Sequence, residues 1–265
     1  MLSKDIITKV KELKQSGEKV YTNCYLAFSR EPDKEWYTLD SDTSLAVILD
    51  EGGANRLYFY TSDFSDLKKL LDDNGMDPVV EIVAKNREEL EDEMQQMGYK
   101  AIAHLIRVSN KDISEVISET PAFISNYYGD AGVYATPDDA KEISGLLWNT
   151  FDTRISHLLS EEETVEHINN KEFIYCRDES GKIVSLLQLI VSNRSYYVNQ
   201  VVNSGDKNMF HSMVVNTMKQ YCDNGGKYTF AWVEEQNHAS LGFFEKYGMH
   251  FDGLWNVVYV KNVTC

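Results

Sequence analysis

Thirteen residues near the C-terminus, Asn237 to Met249, constrain this chain most, because they hold a helix start, an apolar stripe and a glycine stop between two strands. Asn237 belongs to the residue class that caps helices through a side-chain oxygen. Leu241, Phe244 and Tyr247 follow near one helical face, and Gly248 supplies the left-handed residue at which helices commonly end. Before this motif, Tyr228 to Val233 is a near-continuous run of aromatic, β-branched and small residues, which predicts a central strand covered on both faces. After it, Phe251 to Val260 predicts another strand.

Upstream, Thr136-Pro137-Asp138-Asp139 has a cap, a proline at the first helical position and acids in the first turn, which predicts a helix toward Thr150. Ser160 with Glu163 is a capping box for a second helix ending near Asn169. Phe173 to Arg177, Ile183 to Val191 and Tyr196 to Val202 read as three antiparallel strands, the first two joined by the turn Asp178 to Gly181. A helix from about Asn208 to Cys222 then leads into the strand and motif above. The motif Asn237-x-x-Ser240-x-Gly242-Phe243-Phe244-Glu245-Lys246-x-Gly248-Met249, in this element order, resembles the last characteristic helix of the Gcn5-related N-acetyltransferases. The resemblance implies an α+β fold, with a mixed, mostly antiparallel sheet flanked by helices, and transfer of an acyl group from acetyl-coenzyme A or another acyl-coenzyme A to a primary amine by direct attack.

In that family the backbone after the fourth strand pairs with the pantetheine arm. A loop of glutamine or arginine, two residues, glycine, one residue, then glycine or alanine holds the diphosphate against a helix N-terminus, where N–H groups and the helix dipole favour an anion. Carried onto this chain, the coenzyme-binding residues are Val201, Val202, Asn203, Gly205, Lys207, Asn208, Met209, Phe210, His211 and Ser212, with Asn237 and Phe244 from the later helix. Three positions of the loop depart from the pattern: Asp206 takes the basic or glutamine place, Met209 the first glycine and His211 the last small residue. At about 5 Å and an effective dielectric of ~20, an aspartate facing a phosphate costs ~3 kcal/mol per charge pair before screening. Gly205 and Lys207 compensate only if the loop register slips by one. Phe244 stands where many members have a tyrosine that protonates the leaving thiolate, so general acid assistance worth ~10²–10⁴ in rate is missing there. Glu234 and Tyr197 are the candidate catalytic bases; as plain structure they are a solvated strand end and a half-buried sheet residue.

The first half reads as a damaged copy of the second. Asp73-Asn74-Gly75 recurs as Asp223-Asn224-Gly225, Val83 matches Val233 and Gly98 matches Gly248, all at one offset. Helix Ser65 to Asp72, strand Val79 to Ala84, helix Arg87 to Met97 and strand Tyr99 to Val108 repeat the later order. Chance similarity between common supersecondary units is the alternative. Gly52-Gly53 predicts a two-residue turn between strands Leu45 to Leu49 and Arg56 to Tyr60, and no glycine-rich loop follows the second. Ile6, Ile7, Val10 and Leu13 space an amphipathic helix over Lys4 to Gln15. The expected organisation is two related domains in tandem: residues 1–113, a connecting segment 114–131 carrying Phe123, Tyr127 and Tyr128, and residues 132–265.

A net charge of −16 without a basic cluster excludes nucleic acid and anionic membrane as partners and suits a small-molecule or peptide amine. The four cysteines are far apart, so no metal site is expected, and with no signal or membrane-spanning run a cytoplasmic location is the default. Besides the acyltransferase, two readings survive: a catalytically inactive binding or scaffold protein of the same fold, and a groove for a thioester on a carrier protein.

Overall fold

Each half of the chain builds a sheet backed by helices, and the computed structural model describes residues 1–119, 132–192 and 195–261. The aromatic part of the connecting segment, Phe123, Tyr127 and Tyr128, lies outside these residues.

In the first half, α1 (Ser3–Gln15) buries Ile6 and Leu13 against β3 (Ser44–Glu51) and β4 (Ala54–Thr61). Gly52 and Gly53 both have positive φ, 63° and 81°, as a tight hairpin turn needs, and β3 and β4 pair without interruption from Glu51↔Ala54 to Ser44↔Thr61. Two short strands flank this hairpin: β2 (Tyr37–Asp40) on β3, and β1 (Tyr21–Thr22) on the far end of β4. Helix α2 (Phe64–Asp73), capped by Asp63, lies over the other face with Leu67 and Leu71 fully buried. Then come β5 (Val79–Ala84), α3 (Glu91–Gln96) and β6 (Tyr99–Asn110). The sequence predicts a longer α3, from Arg87. It starts late because residues 86–90 form hydrogen-bonded turns and Leu90 takes a left-handed φ of 63°.

The second half opens with α4 (Ile113–Glu119), β7 (Val133–Tyr134) and α5 (Ala140–Thr150), the last entered through a single 3-10 turn at Pro137–Asp139. Helix α6 (Glu161–Asn169) carries the expected capping box: Ser160 Oγ accepts from Glu163 N, and Glu163 Oε2 accepts from Ser160 N. Strands β8 (Phe173–Arg177), β9 (Ile183–Ser192) and β10 (Ser195–Asn203) are antiparallel. After them come α7 (Lys207–Asp223), β11 (Tyr228–Glu234), α8 (His238–Glu245) and β12 (His250–Lys261). β11 has neighbours on both sides, but Tyr228, Phe230 and Trp232 face outward half-buried, so it is central in order without being covered on both faces.

The chain divides into two compact units, and they do not follow a linear cut at 113 and 132. The first comprises Met1–His104, Thr153–His157 and Trp255–Cys265; the second comprises Leu105–Asp152 and Leu158–Leu254. Each unit borrows its last strand from the other half of the sequence. In the first, β5 pairs antiparallel with Trp255–Tyr259 of β12. In the second, β11 pairs antiparallel with Leu105–Asn110 of β6.

The internal repeat survives in element order but not in strand register. Val83 is 53% exposed whereas Val233 is 4% exposed in the core, and Ile82 fills the equivalent inward place in the first half. Side chains alternate along a strand, so an offset that matches the glycines places β5 and β11 out of phase by an odd number of residues.

Candidate functional site

In the second unit the parallel pairing of β10 with β11 runs from Ser195↔Tyr228 to Val198↔Ala231 and stops there. Both strands continue, β10 to Asn203 on β9 and β11 to Glu234 on β6. A bulge at Asn199, between Val198↔Leu189 and Gln200↔Gln188, bends β10 at that point. Beyond Val198↔Ala231 the two strands therefore part company, with Val201–Asn203 paired on β9 and Trp232–Glu234 on β6.

The predicted coenzyme residues fall around this parting. Val201 packs toward α7 and Val202 toward the α5–α6 side. Asn203 is exposed and its Oδ1 accepts from Ser185 Oγ at 2.8 Å and Gly205 N at 3.2 Å. Gly205 is glycine for space, since a Cβ there would stand 2.8 Å from Val184 Cγ2. Asp206 is the N-cap of α7, its Oδ1 accepting from Asn208 N and Met209 N at 2.9 Å each. The residue that departs from the diphosphate pattern thus occupies the first-turn N–H groups that an anion would use. Lys207 and Asn208 are exposed and Met209 is half-buried.

Other members of the set are core. Phe210 is buried and faces Phe243 at a centroid distance of 5.2 Å, Ser212 is buried on the same helix, and Phe244 is buried with its ring edge-on to Phe243. Asn237 caps α8 by accepting from Ser240 N at 3.1 Å. His211 Nδ1 is hydrogen-bonded to the buried Tyr247 hydroxyl. Burial and then the charge of Lys246 lower the His211 pKa.

The two candidate bases are separate. Tyr197 stacks on Phe230 at 4.9 Å with the rings nearly parallel, while Glu234 is exposed at the end of β11. Tyr197 pairs with Phe230, four residues before Glu234, which places the two about 13 Å apart along the strand at ~3.3 Å per residue. They do not serve one proton together. Sequence reasoning missed a third group on this face: fully buried Gln188 accepts from Asn199 Nδ2 at 2.9 Å, and its own Nε2 has no partner. Its signal was two glutamines opposite one another beside a bulge, which becomes visible only once the register is known.

The equivalent parting in the first unit is closed. β4 and β5 pair only at Arg56↔Val79 and Leu57↔Val80. Beyond that, Asn23 bridges the strands, its Nδ2 donating to Leu57 O at 2.8 Å and Glu81 O at 3.1 Å, and its Oδ1 accepting from Phe59 N at 2.8 Å. With β1 paired along β4, the chain fills its own groove there. Among the described residues no group of three or more His, Cys, Asp or Glu is arranged for a metal, and no helix is long and apolar enough to cross a membrane.

No protein-family model matches the chain, and no curated protein matches it in sequence. Solved structures do match. An acetyltransferase of the Gcn5-related family from Sphaerobacter thermophilus is similar at 12% identity and a TM-score of 0.59, over 98% of this chain and 92% of that one. A tandem protein of the same family from the clavulanic acid biosynthesis pathway is similar at 10% identity and 0.56, over 100% and 98%. The chain has the tandem Gcn5-related N-acetyltransferase fold. A member of that family from Colwellia psychrerythraea, at 12% identity and 0.50 over 98% and 97%, has the same fold. At these identities the likeness is one of fold.

Proposed function

We propose that the second unit is an N-acyltransferase that takes its acyl group from an acyl-coenzyme A and gives it to a primary amine. The observation that carries this reading is the parting of β10 and β11 beyond Val198↔Ala231, which leaves two facing backbone edges at the entry of α7. An extended, amide-bearing arm satisfies such edges as an added strand would. Val201 to Asn203 supply the β10 edge.

Attack by the amine nitrogen on the thioester carbonyl carbon forms the C–N bond, and collapse breaks the C–S bond. The amine must arrive neutral, and Glu234 is the carboxylate placed at the open end of β11 to take a proton from it. The thiolate leaves without a tyrosine at position 244, and water serves as its acid. The acidic chain favours a cationic acceptor in its encounter.

Asp206 at the helix entry and the absent hydroxyl at 244 favour a second reading, in which the acetyltransferase fold is kept as a binding protein without transfer. Isothermal titration of acetyl-coenzyme A and free coenzyme A, followed by a thiol-release assay with simple amines, separates the two. Micromolar binding with thiol release is the expected result; absence of binding overturns the transferase.

A further inference from the structure

Side chains alternate along β11, so Tyr228, Phe230, Trp232 and Glu234 share the face opposite Ala231 and Val233, which belong to the core built with α7 and α8. The first two rings on that face are already engaged. Phe230 stacks on Tyr197 at 4.9 Å and on Tyr228 at 5.7 Å, and the Arg107 guanidinium lies 5.6 Å from its centroid while pairing with Asp252 at 2.8 Å.

Trp232 is different. It is half-buried, yet among the described residues it belongs to no hydrophobic cluster, stacks on no ring and has no acceptor for its Nε1. Its cross-strand neighbour on one side is Arg107 of β6; on the other side β10 has already parted from β11, because their pairing ends at Val198↔Ala231. Glu234 follows two residues on, about 6.6 Å farther along the same face at ~3.3 Å per residue. It is exposed and has no paired cation among the described residues. An indole without a ring partner and a carboxylate without a cation thus adjoin at the strand end where the thioester of the proposed transfer lies.

We propose, resting on the transferase reading above, that Trp232 and Glu234 receive the acceptor and that the acceptor is an arylalkylamine. Its ring lies on the indole in a stacked or edge-on pair, and a short alkyl spacer carries its ammonium to the carboxylate. Charge sets the direction of the ligand. Glu234 is the open charge on this face, since Arg107 is taken up by Asp252, so a cationic end is drawn to the strand end and an anionic aromatic is not. A plain alkylamine has the charge without the ring, and a neutral aromatic has the ring without the charge.

The test is isothermal titration of phenethylammonium chloride into the full chain at low salt, without coenzyme, beside n-butylammonium chloride and phenethyl alcohol. Phenethylammonium should bind saturably and about tenfold or more tighter than either control, the scale of one aromatic pair with its buried area. Trp232→Leu should bring it down to the butylammonium affinity, and Glu234→Gln to that of phenethyl alcohol. The ligands are compared on the unaltered protein and Glu234→Gln changes an exposed side chain, so the test stays decisive if Trp232→Leu does not fold. Equal binding of butylammonium, no saturable binding at tens of millimolar, or full affinity in Trp232→Leu overturns the proposal. Thiol release tests the transferase separately. Phenethylammonium binding without release overturns transfer and keeps the amine site, whereas equal kcat/KM for butylamine and phenethylamine keeps transfer and overturns the aromatic preference.

Discussion

Replacing Asp206 with serine isolates the residue that most opposes coenzyme binding. The aspartate caps α7 through two 2.9 Å hydrogen bonds, so an anion at that helix entry lies about one side-chain length, ~5 Å, from its carboxylate. At an effective dielectric of ~20 each such charge pair costs ~3 kcal/mol. With a Debye length of ~30 Å at 0.01 M salt nearly all of that survives, and at ~8 Å in 0.15 M salt roughly half does. Serine is as good an N-cap, so helix stability changes by only a few tenths of a kcal/mol. Asp206→Ser should therefore tighten acetyl-coenzyme A binding about 100-fold at 0.01 M salt and about tenfold at 0.15 M salt, at ~1.4 kcal/mol per factor of ten. Its melting temperature should be unchanged. Titration calorimetry at the two salt concentrations measures both affinities. Equal affinities of the two proteins at low salt would refute the claim that the Asp206 carboxylate faces the diphosphate.

Four further outcomes follow from the same geometry. Phe244→Tyr puts a hydroxyl into the core and should cost about 1–3 kcal/mol in urea unfolding if that hydroxyl finds no partner; thiol-release kinetics show whether it also restores the missing acid. Gly226→Ala drives a Cβ to within 2.0 Å of the Tyr221 ring, which is held by its hydroxyl donating to Tyr228 O, and should destabilise by ~1–3 kcal/mol in the same assay. Burial lowers the His157 pKa, but hydrogen bonds with Glu51 and Glu81 outweigh it and raise the value to about 9. The folded pKa lies above the unfolded one, so this stabilisation is complete below about 6.5 and lost as pH rises to about 9; unfolding from pH 6 to 10 should show that fall, and His157→Gln should flatten it. Finally, a fragment of residues 132–265 lacks the β6 partner of β11, and one of residues 1–113 lacks the β12 partner of β5, so each expressed alone should aggregate, as gel filtration would show.

Local signals carried most of the element order. The capping box at Ser160 and Glu163, the glycine pair at 52 and 53 and the Asn237 cap each bring their own short-range hydrogen bonds or backbone freedom, so they read directly from sequence. The Asp206 cap is equally local, its carboxylate accepting from the N–H groups two and three residues on. What stayed hidden depends on register and on distant segments. The exchange of β6 and β12 between units leaves no local mark, and a shift of one residue hid the true inward partner of Val233. The cluster of Glu51, Arg56, Glu81, His157 and Asn256 draws on four separate stretches, none of which forms a motif.

In the proposed transferase an acyl-coenzyme A arm lies along the edges of β10 and β11 in the second unit. Amide hydrogen exchange, followed with and without saturating acetyl-coenzyme A, reads those edges directly. The account predicts new protection at Val201 to Asn203 and Trp232 to Glu234, with no change at Leu57 to Phe59, where Asn23 already fills the groove. Unchanged exchange at Val201 to Asn203 in protein that binds the ligand would contradict it.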